Sequence, residues 1–389
     1  MLKINNLKIE GIGPIKNLEL NFNNQFNIIC GQNGIGKTTI LDCLAQSFGN
    51  FNTSLKKMAN VTAGRWDINI SINGTPTSKT FSLNNFRPDQ NSRSTSGFLS
   101  NSNEVIVFKT HRDIQYQQLA SLTTEPLKDN FAFAGETLYG SHPSNIKNWF
   151  VRKHLWSAHP DSLNDEQIKN INLAKECFSL LNNNISFSRV DPDTHDIMLN
   201  TPNGEIFFEY LSSGYKSCMA VLLGLIKEVE FRYKEPSIFI KDFDGIVFID
   251  EIDLHLHPEW QAKIYEAIKE ILPNAQVFTS THSPHLIQVA EAKEIIPLIL
   301  DEDNNVIPNT IVNDIYGCQG WSVEEILTDI MGMTETRTST YLNAIENFNK
   351  AIDIENLEKA TASFEILDAM LHPENSLKKI LKIQLAGIS

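Results

Sequence analysis

Residues 31–38 read GQNGIGKT, filling the pattern G-x-x-x-x-G-K-T at every defined position. An apolar run, FNIIC, leads into it, and an amphipathic stretch, TTILDCLAQSF, follows. No other feature of the chain constrains the fold as strongly as this strand–loop–helix. Gly34 and Gly36 let the backbone curl so that its N–H groups converge on one anion. The helix beginning near Lys37 adds the positive end of its dipole. Lys37 is placed to reach the β and γ phosphates of ATP, and the Thr38 hydroxyl to ligate Mg2+. Asn33, Gly34, Ile35, Gly36, Lys37, Thr38 and Thr39 are therefore the expected ATP-binding residues.

Three further motifs follow in order. Residues 246–253, IVFIDEID, describe a buried strand that delivers acids at its C-terminal tip, where open parallel sheets place their ligand chemistry. Asp250 is expected to hold Mg2+ and Glu251 to act as general base on an attacking water. Residues 281–283, THS, follow the apolar strand QVFTS, so His282 can reach the same sheet edge and hydrogen-bond a γ-phosphate. Residues 211–217, LSSGYKS, precede a long apolar helix, with Ser212 or Ser213 as its cap, and form a second anion-binding end. Two anion sites for one nucleotide is one too many for a single chain.

The ordered set GxNGxGKT, LSSG, hhhhDE and THS resembles the ATP-binding-cassette (ABC) type of ATPase head, in the branch containing SMC, Rad50 and RecF. The opening, LKIEGIGPIKNLELNFNNQFNIIC, is similar to that branch's first strand–loop–strand unit. The resemblance implies a head-to-tail homodimer in which Ser212, Ser213 and Gly214 of one copy contact ATP held by the other. It also implies that His282 is a switch histidine and that residues 253–257 cross the interface. Tyr215 stands where the family usually carries Gln or Glu. The family's Q-loop glutamine has no obvious counterpart; Arg112, Gln115 and Gln117 are candidates. A narrower resemblance, carried by DEIDLHLHPEWQ and THSPHLI, is to the stand-alone ATPases of bacterial anti-phage defence, the Septu and retron-associated type. No apolar strand ending in Glu-Gly and followed by Asp-x-Asp comes after His282, so no intrinsic nuclease is expected. His255 and His257 precede Pro258 and read as a turn before a helix rather than as metal ligands.

The expected fold is α/β, an ABC/RecF-like phosphate-loop ATPase head with a mixed N-terminal β lobe, a helical lobe and no long coiled coil. The head is expected over residues 1–325, with a largely helical insertion at about 112–185, and a C-terminal helical segment over 326–389. Alternation from 65 to 83 around Asn73-Gly74 predicts a hairpin, and the polar run 84–103 a mobile loop. Scattered cysteines at 30, 43, 177, 218 and 318, with no CxxC pair and no secretory signal, predict a cytoplasmic chain. The longest apolar runs are too short for a membrane span.

The net charge of −14 weighs against a chain that coats nucleic acid. Lys56, Lys57, Arg65 and residues 87–93 form the candidate local patch, although solvated surface charge is the simpler reading. The leading functional expectation is a slow ATPase that dimerises around ATP, or forms a higher oligomer, and controls a partner nuclease or toxin in phage defence. The alternative is a RecF-like repair or recombination ATPase acting directly on DNA. A transporter ATPase is disfavoured by the long interval between phosphate loop and LSSG, and a nucleotide-locked scaffold by the presence of Glu251.

Overall fold

The computed structural model describes residues 1–89, 92–112, 114–141, 145–311 and 315–388. Two positions of the expected polar loop and basic patch, Gln90 and Asn91, lie outside the described residues. The chain divides into two compact units, Met1–Gly332 and Met333–Ser389. The short helical turns over 323–330 thus belong to the first unit rather than to the tail.

The first unit opens with strands β1 (Leu2–Ile12), β2 (Ile15–Asn21) and β3 (Phe26–Gly31), then helix α1 (Lys37–Gln46). Strands β4 (Gly64–Ile72) and β5 (Thr75–Leu83) form the expected hairpin, with Ile72 opposite Thr75. Asn73 and Gly74 both adopt positive φ, as a two-residue hairpin turn requires. Strand β6 (Val105–Phe108) is followed by helices α2 (Asn130–Tyr139), α3 (Ile146–Ser157) and α4 (Asp165–Leu180). A small sheet, β7 (Ser186–Val190), β8 (Ile197–Thr201) and β9 (Gly204–Phe207), leads to the long helix α5 (Ser213–Arg232). Then come β10 (Ile246–Ile249), α6 (Pro258–Ile271), β11 (Gln276–Ser280), α7 (Pro284–Val289), β12 (Ile295–Leu300) and β13 (Val306–Pro308).

The central sheet has the order β13-β12-β3-β11-β10-β6, parallel except at its β13 edge. Its strands are apolar on both faces because both are covered. On one face Ile28, Ile106, Val247 and Val277 pack beneath the helices α3 to α6. On the other, Ile29, Val107, Phe248 and Phe278 meet α1 and the antiparallel sheet β2-β1-β4-β5. Each such side chain, fully withdrawn from water, contributes about 1.5–3 kcal/mol before entropy is charged.

Two expectations change. The stretch 114–129 carries no regular secondary structure among its described residues, so the insertion turns helical only from Asn130. The polar run after β5 is anchored at its far end. Phe98 N–H donates to Ser47 O at 2.9 Å, Gly97 N–H to Gly49 O at 3.0 Å, and Lys79 Nζ to Gly97 O at 3.0 Å. A side chain at Gly97 would collide with the Ser47 carbonyl, so composition marked a loop there but not its docking on the end of α1.

The second unit is a small helical assembly of α8 (Ser339–Asp353), α9 (Leu357–Met370) and α10 (Ser376–Ala386). Thr338, Asn356 and Asn375 cap the three helices, and Phe348, Leu367 and Leu381 form their shared core. The longest helix among the described residues is α5, at 20 residues, and no long coiled coil occurs among them. No helix among them is long and apolar enough to cross a membrane.

Candidate nucleotide site

The strand order explains how distant motifs meet. β3, β11, β10 and β6 lie side by side and parallel, so their C-terminal tips share one edge. The phosphate loop leaves β3, residues 281–283 leave β11, Asp250 and Glu251 leave β10, and Arg112 follows β6. At Gly31 the loop begins with φ 141°, and a Cβ there would strike the Leu298 carbonyl oxygen of β12. Gly36, at φ 109°, takes the left-handed turn that starts α1.

Lys37 lies folded into its own loop, its Nζ donating to Gly31 O at 2.8 Å and Gln32 O at 3.0 Å. Burial draws its ammonium pKa down, against the pull of Cys30, Asp253, Glu251 and Asp250. The Thr38 hydroxyl lies 3.2 Å from each carboxylate oxygen of Asp250. This pair offers two hard oxygen donors to one small space, the donor set that suits Mg2+ brought in with nucleotide phosphates. No cluster of three or more His, Cys, Asp or Glu side chains able to hold a metal occurs among the described residues.

Ser280, the last residue of β11, ties the acids together. Its hydroxyl donates to Asp250 Oδ1 at 2.6 Å and accepts the Glu251 N–H at 2.7 Å. Glu251 sits at φ 49°, a left-handed conformation costly for a residue with a side chain, and its side chain is partly exposed. One turn on, Asp253 accepts the Thr281 hydroxyl at 2.7 Å and the His282 N–H at 3.2 Å, fixing the start of the THS segment. Burial, and then Lys37, push the His282 pKa below its ordinary 6.5, so the imidazole is neutral at pH 7.

Arg112 is the Q-loop candidate that touches this cluster. Its guanidinium donates to the carbonyl of Asp250, to Glu251 O at 2.6 Å and to Lys109 O at 3.0 Å. Gln115 instead lines a cavity beside α5, and Gln117 offers its carbonyl to Lys147. Lys109 pairs with Asp42 of α1, whose own pKa burial raises.

Sequence reasoning missed Ser280 and the Lys109–Asp42 pair. A polar residue closing an otherwise apolar strand was the signal for the first. The second joins segments whose proximity only the sheet order reveals.

Ser212, Ser213 and Gly214 take no part in these hydrogen bonds. Ser212 caps α5, its Oγ accepting Tyr215 N–H at 3.3 Å. Gly214 lies so close to the His255 carbonyl that a Cβ would collide with it. Tyr215, the departure from the family pattern, is wholly buried. Its hydroxyl donates to the Phe178 carbonyl, and its ring meets Trp260 edge-on at 5.2 Å. It braces α5 against α4 and α6. His257 caps α6 through Nδ1, 3.4 Å from the Glu259 N–H, and His255 turns at φ 63° before it.

A family profile described as "AAA domain" matches residues 6–190, and a second AAA-domain profile matches 200–288. A Septu protein PtuA of Bacillus thuringiensis is 45% identical over 99% of this chain and 98% of its own length. The chain belongs to the Septu PtuA family. A second Septu PtuA, from Bacillus mycoides strain KBAB4, is 24% identical over 95% of this chain, which spans 52% of that protein. The SMC head domain from Thermotoga maritima overlaps 79% of this chain and 100% of its own at 12% identity and a TM-score of 0.43, a likeness too loose to bear on activity. As a member of the PtuA family with AAA domains over both halves of its head, the chain is an ATPase of bacterial anti-phage defence.

Proposed function

We propose that this PtuA-family ATPase closes head-to-tail as a homodimer around two molecules of ATP and passes its nucleotide state to a partner nuclease or toxin. The observation carrying the reading is the convergence of Lys37, Thr38, Asp250, Glu251, Ser280 and Arg112 on one sheet edge, with Ser213 and Gly214 held outside that cluster. A loop with one cation and one hydroxyl neutralises only part of a triphosphate. The first turn of α5 supplies free N–H groups and two serine hydroxyls, which suit the γ-phosphate of a second copy's ATP.

In this reading Lys37 lets go of its loop carbonyls and takes the β and γ phosphates. Thr38 and Asp250 would hold Mg2+, which would offset charge on the transferring phosphoryl group. Glu251 accepts a proton from the attacking water as the bond from the γ-phosphorus to the bridging oxygen breaks, leaving ADP and phosphate. His282, neutral and tethered through Asp253, donates to the γ-phosphate. The cytoplasm is the expected compartment.

The test is light scattering of the Glu251→Gln protein with and without ATP–Mg2+. The mass should double with ATP and return to that of the free form when Ser213→Arg is added. A mass unchanged by ATP would overturn the dimer.

A further inference from the structure

The first unit ends at Gly332, and there the chain lies against the phosphate loop. A Cβ placed on Gly332 would stand 3.6 Å from Cβ and Cδ of Gln32 and 3.8 Å from its Nε2, so the Gln32 side chain backs directly onto this glycine. Gly332 takes φ 67°, a left-handed turn that strains any residue with a side chain. The turn leading to it is wound unusually. Met331 N–H donates to Ile326 O, five residues back, at 3.0 Å, and Gly332 N–H donates to Thr328 O at 3.2 Å. Single π-helical turns of this kind are rare and gather at functional sites. Ile326, Ile330 and Met331 are buried in the core, and Asp329 O accepts the Asn309 side-chain N–H at 2.8 Å, which fixes the turn to the first unit. Met333 is already exposed. Between the two, Gly332 is steadied by its bond to Thr328 and by the Gln32 side chain.

Gln32 is in turn held through its carbonyl. Lys37 Nζ donates to Gln32 O at 3.0 Å, whereas the Ile35 N–H stands 3.4 Å from the same oxygen, beyond the usual range of such bonds. A charged donor makes roughly twice as strong a hydrogen bond as a neutral one. An ammonium drawn from this carbonyl to a phosphate therefore leaves the Gln32 peptide with its weaker donor alone. The support that Gln32 lends to Gly332 weakens with it.

We propose that Lys37, Gln32 and Gly332 form a latch by which the nucleotide-free phosphate loop holds the joint to the second unit fast, and that ATP opens the latch by drawing Lys37 away from Gln32. The latch rests on the reading that Lys37 moves to the phosphates, and it requires neither the dimer nor hydrolysis. Its consequence is a nucleotide signal that leaves the head at its C-terminal end, within a single chain.

Hydrogen–deuterium exchange on the full chain, with and without saturating ATP–Mg2+, tests the latch on two stretches at once, 31–38 and 331–338. ATP should slow exchange at 31–38 and quicken it at 331–338 by at least about fivefold, the lower end of an ordinary coupling between sites. Gln32→Ala keeps the carbonyl and removes the prop, so 31–38 should still be protected by ATP while 331–338 exchanges fast with or without it. Lys37→Ala should make 331–338 fast in the absence of nucleotide. The latch is overturned, with the phosphate loop intact, if ATP protects 31–38 and leaves 331–338 unchanged or slower. It is equally overturned if Gln32→Ala keeps the parent's response or if 331–338 stays slow in Lys37→Ala. No protection at 31–38 would overturn the reading of Lys37 along with it.

Discussion

Ser280 Oγ stands 2.6 Å from Asp250 Oδ1 and 2.7 Å from the Glu251 N–H, so one hydroxyl sets the position of both acids. It donates to the first and accepts from the second, so its one proton is committed to Asp250. The acid assigned to the metal and the acid assigned to the water are therefore held at a fixed separation by a residue that touches neither substrate.

Removing that hydroxyl should loosen the metal site without emptying it. Ser280→Ala is expected to raise the Mg2+ concentration needed for half-maximal ATPase by about 10- to 100-fold, as outer partners of metal ligands do. ATP binding through the phosphate loop should persist. A Mg2+ titration of steady-state hydrolysis checks it, and an unchanged midpoint would remove Ser280 from the machinery.

Glu251→Gln keeps the shape of the site and removes its base. Hydrolysis should drop by about 10²- to 10⁴-fold while the affinity for ATP holds. Single-turnover kinetics with labelled ATP separate the two quantities. A fall in affinity with an unchanged rate constant would place the base elsewhere.

Arg112 joins its own turn to the carbonyls of Asp250 and Glu251 with a planar fork that lysine cannot reproduce. Arg112→Lys should therefore behave like Arg112→Met, each losing about 1–3 kcal/mol of stability through unmet carbonyls. Denaturant melts of the two variants give the comparison. Full rescue by lysine would reduce the role of Arg112 to charge.

Tyr215→Gln restores the residue usual in the wider family yet should damage this protein. It deletes a buried ring and its hydrogen bond to the Phe178 carbonyl, at a cost of about 3 kcal/mol. Thermal melts should show the loss, with no gain in ATPase.

His282 makes the site sensitive to acid. Burial and Lys37 hold its folded pKa below the unfolded value of 6.5, so below that pH the unfolded chain binds the proton more readily. Its contribution to stability is complete above pH 6.5 and declines as pH falls from 6.5 through the folded pKa. The melting temperature of His282→Gln should accordingly fall less steeply than that of the parent between pH 7 and pH 5.5. Parallel slopes would count against a buried neutral imidazole.

Much of this architecture was legible before any coordinates. Pro258 at the first turn of α6 and the apolar runs of β10 and β11 mark their elements to within a residue, because local preference and burial agree there. The phosphate loop announces itself because so few residue types can make that turn. Arg112 was one of three candidates, since its partners lie more than a hundred positions along the chain, and only the placing of β6 beside β10 selects it. Residues 114–129 have apolar positions but little regular structure, and their tethers run through Lys147, Asn148 and His195, groups that no periodicity records. Tyr215 looked like a flaw in a contact motif. It is a core residue whose side chain points away from the motif's work.

Gly214 has consequences beyond its own helix. With no side chain it lets the start of α5 rest directly on the His255 carbonyl, four residues beyond Glu251. In the proposed ATP-bound pair, the surface offered to a neighbour's nucleotide would thus be seated on the segment that follows the acid assigned to the water. Each protomer of the proposed pair would act as a rocker, with its own ATP at one end and its partner's at the other.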